Sequence, residues 1–219
     1  MSTVDTLDRL IADELKAALS PALIGRQIVV LEQTGSTNDA VLQIASPRGA
    51  AVSNPQSVVD EGLVLFAEHQ TAGRGQRGNR WESMTGKGLW FSILLRPVIH
   101  LSDSGRLTMW AIEAISEVLR TGFHLEPAIK LPNDVQLHGQ KVAGVLVEMR
   151  AQKKAIHLAV VGIGINVNQS LKDFPPELQR AAISLAMALR RPVNRQELAI
   201  AVLRNLDRTY CERFVARAS

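Results

Sequence analysis

Hydrophobic positions along this chain follow two periods, one helical and one of strands. Over residues 5–19 they fall at Leu7, Leu10, Ile11, Leu15 and Leu19, the stripe of an amphipathic helix ended by Ser20-Pro21. Residues 28–32 (IVVLE) form a short buried run, and residues 36–45 follow as a short helix opened by Ser36 with Asp39 three positions on, in the manner of a capping box. Residues 46–62 are rich in Pro, Gly, Ser and Asn and predict a surface loop. Two apolar runs, 63–70 and 88–95, predict buried strands. The clearest helix has Leu107, Trp110, Ala111, Ala114, Ile115, Val118 and Leu119 on one face, with Ser102 or Ser104 as its start and Gly122 as its stop. Pro132-Asn133-Asp134 marks a turn and His138-Gly139 a hairpin. Strands are expected over 141–149 and 156–168, with a turn at 152–154 between them, and helices over 175–189 and 194–214, the last capped by Asn194 with Glu197. Hairpin-like strand pairs among helices predict an α+β domain, a mixed β-sheet flanked by helices, rather than a purely alternating parallel fold.

Composition narrows this only modestly. The chain has 219 residues, 46% hydrophobic and 21% charged, with a net charge of +4, ordinary for a globular domain and suited to an anionic ligand without demanding one. The single cysteine, Cys211, excludes an internal disulfide and reads as structural or incidental. No apolar run approaches a membrane span, and the first residues hold acidic groups rather than a signal core, so a cytoplasmic location without a membrane partner is expected. One short acidic helix ahead of the first strand makes no helix-turn-helix, so no DNA partner is expected. One domain over 1–219 is expected, with no repeats and no linker.

Chemistry concentrates where polar islands break the apolar runs. Residues 73–81, GRGQRGNRW, hold three glycines and three arginines between the two buried strands. Glycines let backbone amides close on an anion and arginines add planar donor forks; a solvated basic turn is the plainer alternative. Ser36-Thr37-Asn38 at a helix start can bind a polar ligand or merely cap. Asp134 can hold Mg²⁺ or cap the turn after Pro132. Lys141 opens a strand whose alternation puts Ala143, Val145 and Val147 on its face, where a cation needs an anion or must snorkel outward. Asn166 in GIGIN is equally open. Gly162-x-Gly164 follows a strand but lacks the third glycine and the distant acid of a dinucleotide site.

Taken in order, STN, QTAGRGQRGNRW, KLPNDV, KVAGVLVE and VVGIGINVN resemble the catalytic domain of biotin–protein ligases over about residues 28–168. Lipoate ligases differ in the basic loop. The resemblance implies a biotin/lipoate ligase-like fold, related to class II aminoacyl-tRNA synthetases. It also implies ligation in two steps: biotin and ATP give biotinyl-adenylate, and a lysine of a biotin carrier domain of a carboxylase then accepts biotin. It implies that Ser36, Thr37 and Gln70 bind the ureido ring, that Asn38 is among the biotin-binding residues, and that Ser92, Gly144 and Leu146 line the pocket. Arg74, Gly75 and Gln76 would enclose the carboxylate and then the phosphate. Lys141, with Arg74, would be catalytic. Arg77, Trp81, Asn133, Asp134 and Asn166 would serve ATP or the adenylate, with Asp134 on Mg²⁺. A homodimer is compatible with this reading. Three departures stand out: Gln76 where the family often has arginine, Leu131 where it has tryptophan, and helical sequence over 194–214 where a C-terminal β-barrel usually follows. A lipoate or octanoyl transferase, and a non-enzymatic module using the basic loop as a patch, are the competing readings.

Overall fold

The computed structural model describes residues 8–20, 22–45, 59–151 and 157–215. Residues 5–7, most of the loop read over 46–62, and the turn at 152–154 lie outside the described residues. Seven strands form one sheet in the order β1-β2-β3-β7-β6-β5-β4. These are β1 Gln27–Thr34, β2 Leu63–Gln70, β3 Gly88–Leu95, β4 Ala128–Lys130, β5 Asp134–Leu137, β6 Gln140–Arg150 and β7 Leu158–Asn166. Only β1 and β2 run parallel; every other pair is antiparallel. The expected mixed sheet is therefore present. The β5–β6 hairpin turns at His138-Gly139 with φ of 52° and 77°, the positive pair that a tight hairpin needs.

One sheet face carries the main core. There α3 (Ser104–Phe123) and α5 (Arg195–Phe214) pack on Phe66, Phe91, Ile93, Val145, Val161 and Ile163. The other face packs α2 (Thr37–Ala45) through Val41 and Leu42 on Leu63, Leu65, Leu94 and Val160. This second cluster is smaller, and it stops short of β6, which leaves room for a cleft between the α2 start and the β6–β7 strands. Asn194 caps α5, its Oδ1 accepting from the Glu197 amide at 3.0 Å.

Three expectations are corrected. The first helix, α1, runs Ala12–Leu19 and not from residue 5 within the described part. Asp8 instead takes the Arg195 backbone amide and guanidinium, and residues 8–11 are not helical. The long helix α3 ends at His124, which adopts φ 53° as its left-handed cap, so Gly122 lies inside the helix. Residues 175–189 are not one helix. Leu171–Asp173 makes a 3₁₀ turn, Ala182 bridges Lys141 in parallel, and only Leu185–Leu189 is helical, as α4. Pro175-Pro176 removes two amide donors, and residues 181–183 gain two backbone bonds to Lys141 by staying extended.

Candidate active site

The cleft opens on the α2 face of the sheet, and its floor is glycine. Gly144 on β6 pairs with Gly164 on β7, and Leu146 pairs with Gly162. A methyl on Gly164 would lie 2.5 Å from Trp81 Cε2, on Gly144 2.8 Å from Lys141 Cε, and on Gly162 2.3 Å from Asn38 Oδ1. Each glycine therefore admits one side chain of the site onto the sheet surface, a close approach that no other residue permits. Gly162 and Gly164 also line the cavity, a role that their Gly-x-Gly spacing does not reveal in the sequence. Only the pairing of β7 with β6 sets Gly164 opposite Gly144 and so gives these glycines their place in the site.

The inner end is polar and buried. Ser36, Thr37 and Asn38 are no more than 4% exposed and Gln70 is 9%. Gln70 Oε1 accepts from the Thr37 amide (2.8 Å) and hydroxyl (3.1 Å). The Ser92 hydroxyl, fully buried, lies 2.6 Å from Asn38 Oδ1 and 2.7 Å from Thr37 Oγ1. Ser92 thus stands behind the cavity wall and sets the two side chains that face it. Closed circuits of this kind fix which end of each amide is presented to a ligand.

Lys141 occupies the other end, and alternation alone misplaces it. Val135 pairs with Ala143 and Gln136 with Lys141, so β6 holds one extra residue, Val142, at this step. Val142 and Ala143 are both fully buried. This bulge turns Lys141 from the core face, where the sequence pattern puts it, onto the Gly144 side. Its backbone is held on both sides: Lys141 N donates to Ala181 O at 2.8 Å, and Lys141 O accepts from Ile183 N at 3.0 Å and Asn166 Nδ2 at 3.3 Å. Nζ sits 2.6 Å from Asp134 Oδ1 and 5.0 Å from the Trp81 ring centroid, an ion pair beside a cation–π contact. Trp81 also stands edge-on to Trp90 at 5.9 Å.

The basic loop folds back as a small hairpin. Arg74 bridges Arg80, Gly75 N donates to Asn79 O at 2.7 Å, Trp81 N donates to Gly73 O at 2.9 Å, and Gln76–Gly78 makes a 3₁₀ turn. The Gly75 amide is thereby committed within the hairpin. The Arg74 guanidinium is committed too, to Glu148 at 2.9 Å and Asp39 at 2.7 Å. Loop and Trp81 close the cleft to about 40 Å³, far below the hundreds of cubic ångströms of a small-molecule pocket.

Of the residues singled out in the sequence, the cavity is lined by Ser36, Thr37, Asn38, Gln70, Arg74, Gly75, Trp81, Asn133, Lys141, Gly144 and Leu146. Gln76, Arg77, Ser92, Asp134 and Asn166 do not line it. Asn133 donates from Nδ2 to Val145 O at 3.0 Å and anchors β5 to β6. Asn166 donates to Lys141 O and Ile183 O and accepts from Gln169 Nε2, so it supports the strand that carries Lys141. Among the described residues no group of three or more His, Cys, Asp or Glu could hold a metal. Asp134 offers one carboxylate, the sparse kind of ligand that Mg²⁺ uses when phosphate oxygens supply the rest. No helix among the described residues is long and apolar enough to cross a membrane.

An uncharged polar pocket, a glycine floor and the Lys141–Asp134 pair thus follow one another along the cleft. Residues 32–166 match the model of the biotin/lipoate A/B protein ligase family, and the chain belongs to that family. It is 34% identical over 209 residues to the biotin–[acetyl-CoA-carboxylase] ligase of Mycobacterium tuberculosis, covering 91% of this chain and 72% of that protein. It is 31% identical over 202 residues to the bifunctional ligase/repressor BirA of Bacillus spizizenii, covering 92% of this chain and only 59% of that relative. Among solved structures, the biotin protein ligase of Aquifex aeolicus in complex with biotin and ATP superposes with a TM-score of 0.68 at 30% identity, covering 87% of this chain and 74% of that one.

Proposed function

We propose that the chain is an ATP-dependent biotin–protein ligase. The observation that carries this is the line from the buried Thr37–Asn38–Gln70 circuit, across the glycine floor, to Lys141. A ureido ring has two N–H donors and one carbonyl acceptor to exchange with the inner circuit, and the valeryl carboxylate reaches the ammonium. A biotin carboxylate oxygen attacks the α-phosphorus of ATP; the new O–P bond forms as the bond to pyrophosphate breaks. Lys141 stabilises the charge that gathers on the reacting oxygens. In the second step the ε-amine of a lysine on a carboxylase carrier domain attacks the adenylate's carbonyl carbon, AMP leaves, and the amine loses a proton. No protein nucleophile is needed, so positioning and charge account for the rate. Asp134 would hold Mg²⁺, which supplies charge neutralisation on the phosphates. Asn166 acts by fixing the Lys141 backbone, and Trp81 walls the adenine side.

The lipoate reading fits less well. An apolar dithiolane has no hydrogen bonds to exchange with Ser36, Thr37, Asn38 and Gln70, whereas a ureido ring has, and a site built to bond polar groups favours the ligand that carries them. Biotin-dependent exchange of pyrophosphate into ATP, with lipoate as competitor, tests the proposal. Exchange with biotin and none with lipoate is expected, and Lys141→Ala should lower the rate about 10²–10³-fold. A Lys141→Ala protein exchanging at the wild-type rate would remove Lys141 from the mechanism.

A further inference from the structure

Strand β2 outruns its neighbour β3. The β2–β3 ladder ends at Ala67 opposite Trp90, whereas β1 still pairs with β2 at Thr34 opposite Gln70. Gln70 therefore ends β2 with no β3 residue beside it, and the Ser83 side chain stands in that place. The Gln70 amide donates to Ser83 Oγ at 2.7 Å, and the Ser83 hydroxyl donates to Gln70 O at 3.0 Å. A hydroxyl both accepts and donates, so one side chain satisfies both backbone groups of one residue. Ser83 is itself held by the preceding residue of β2. His69 Nδ1 lies 3.0 Å from Ser83 O; a carbonyl only accepts, so Nδ1 carries the proton. An Nδ1–H cannot also accept from Ser83 Oγ, 3.3 Å away, which leaves the hydroxyl proton for Gln70.

We propose that Ser83 is a positioning residue that sets the Gln70 side chain at the inner end of the cavity. The inference rests on the biotin reading above. Gln70 needs this support because it departs from the alternation of β2. Its parity places it with Phe66 and Glu68, which meet the main core and Arg195 of α5. Its side chain instead meets Thr37 at the start of α2, where Oε1 accepts from the amide and the hydroxyl. Nε2 makes no hydrogen bond among the described residues, so it is a donor left for the ligand on a residue that lines the cavity. The direction of that donor depends on the Gln70 backbone, and Ser83 fixes the backbone. Ser83 does not line the cavity. Its hydroxyl bonds Gln70 only through backbone atoms, so its effect on a bound ureido ring passes through that residue. Without the hydroxyl, the amide and carbonyl at the strand end must find other partners, and the turn that carries the side chain shifts with them.

Ser83→Ala removes both bonds. Kd and KM for biotin should rise about tenfold, the scale of a buried polar group left unpaired, while kcat and the KM for ATP change far less. Ser83→Thr keeps the hydroxyl and should restore the affinity of the wild type. A double-mutant cycle on the biotin Kd separates positioning from general loosening. Gln70→Ala weakens biotin by itself, and adding Ser83→Ala to it should change Kd by no more than about twofold, the scatter of independent sites. Additive losses would overturn the proposal, because a loosened segment acts whether or not the Gln70 side chain is present. An unchanged biotin Kd in Ser83→Ala would overturn it as well. Should Ser83→Ala fail to fold, Ser83→Cys, of similar size but a weak donor and acceptor, takes its place in the cycle with the same two outcomes. Normal biotin binding by the wild type with additive losses removes the role of Ser83 alone. Absence of biotin binding by the wild type would overturn the biotin reading and this inference with it.

Discussion

Two clusters in this molecule have the same composition and opposite character. Arg195, Glu68 and Asp8 form one; Arg74, Glu148 and Asp39 form the other. Each is an arginine between two carboxylates drawn from distant segments. In the first, the Arg195 and Glu68 side chains are 3% and 7% exposed, and Arg195 also donates to the carbonyls of Asp8 and Gly88. In the second, Arg74 and Asp39 are 42% and 53% exposed. Burial makes the first pair costly to break, because a lone buried charge cannot be resolvated. Exposure makes the second cheap to break, so a ligand can trade against it. The first ties the start of α5 and the N-terminal segment to β2, and the second lies across the mouth of the cleft. Identical ionic chemistry therefore ties distant segments into the core in one place and borders the cleft in the other, and solvent access separates them.

That contrast can be broken at either end. The largest expected effect is on the buried side. Arg195→Ala leaves Glu68 charged and unpaired at the sheet surface and should lower unfolding free energy by about 3–5 kcal/mol, read from urea melts. A loss under about 1 kcal/mol, the scale of an exposed pair, would erase the distinction. Arg74→Ala comes next. It should cost at most about 1 kcal/mol of stability while accelerating proteolysis of the hairpin. Raising salt should accelerate that cleavage in the wild type as well, since exposed charges are screened and buried ones are not; Arg195-dependent stability should hardly move over the same range.

The smallest effect concerns a third cluster of intermediate exposure. Asp173 takes bonds from Lys87 Nζ, the Ser170 amide and the Ser170 hydroxyl, each at 2.8 Å. Burial alone would raise its pKa, but the hydrogen bonds and the Lys87 charge outweigh burial and hold it below the ordinary 3.8. A depressed carboxylate stabilises the fold fully above the ordinary value and loses that contribution as pH falls through the lowered one. Lys87→Ala should therefore shift the acid unfolding midpoint upward slightly and leave neutral-pH activity unchanged. An unshifted midpoint would show that this pair contributes nothing.

Much of the fold was legible because it depends on local periodicity. The buried strands β2, β3 and β7, the hairpin at His138-Gly139 and the helices α3 and α5 all announce themselves by apolar spacing and turn residues, and the structure has each within a few residues of its expected bounds. The order of motifs likewise brought Thr37, Gln70, Arg74, Trp81, Lys141 and Gly144 to one cavity. Sequence pattern reaches this far because side-chain direction follows period within an element.

Only the tertiary structure decided the rest, since the remaining contacts are long-range. The 175–189 stretch has helical spacing, yet residues 181–183 run extended because Lys141 offers them backbone partners from another segment. Lys141 itself faces the cleft only because β6 bulges at Val142, a shift created by pairing with β5. Gly162 and Gly164 matter because β7 lies beside β6 and under Trp81. Glu148 meets Asn38 and Arg74 only once helix, loop and strand are assembled. Composition and period fix what each element is. Which charges are buried, which backbone donors find partners and which side chains converge depend on where distant segments settle, and there packing and hydrogen bonding override local preference.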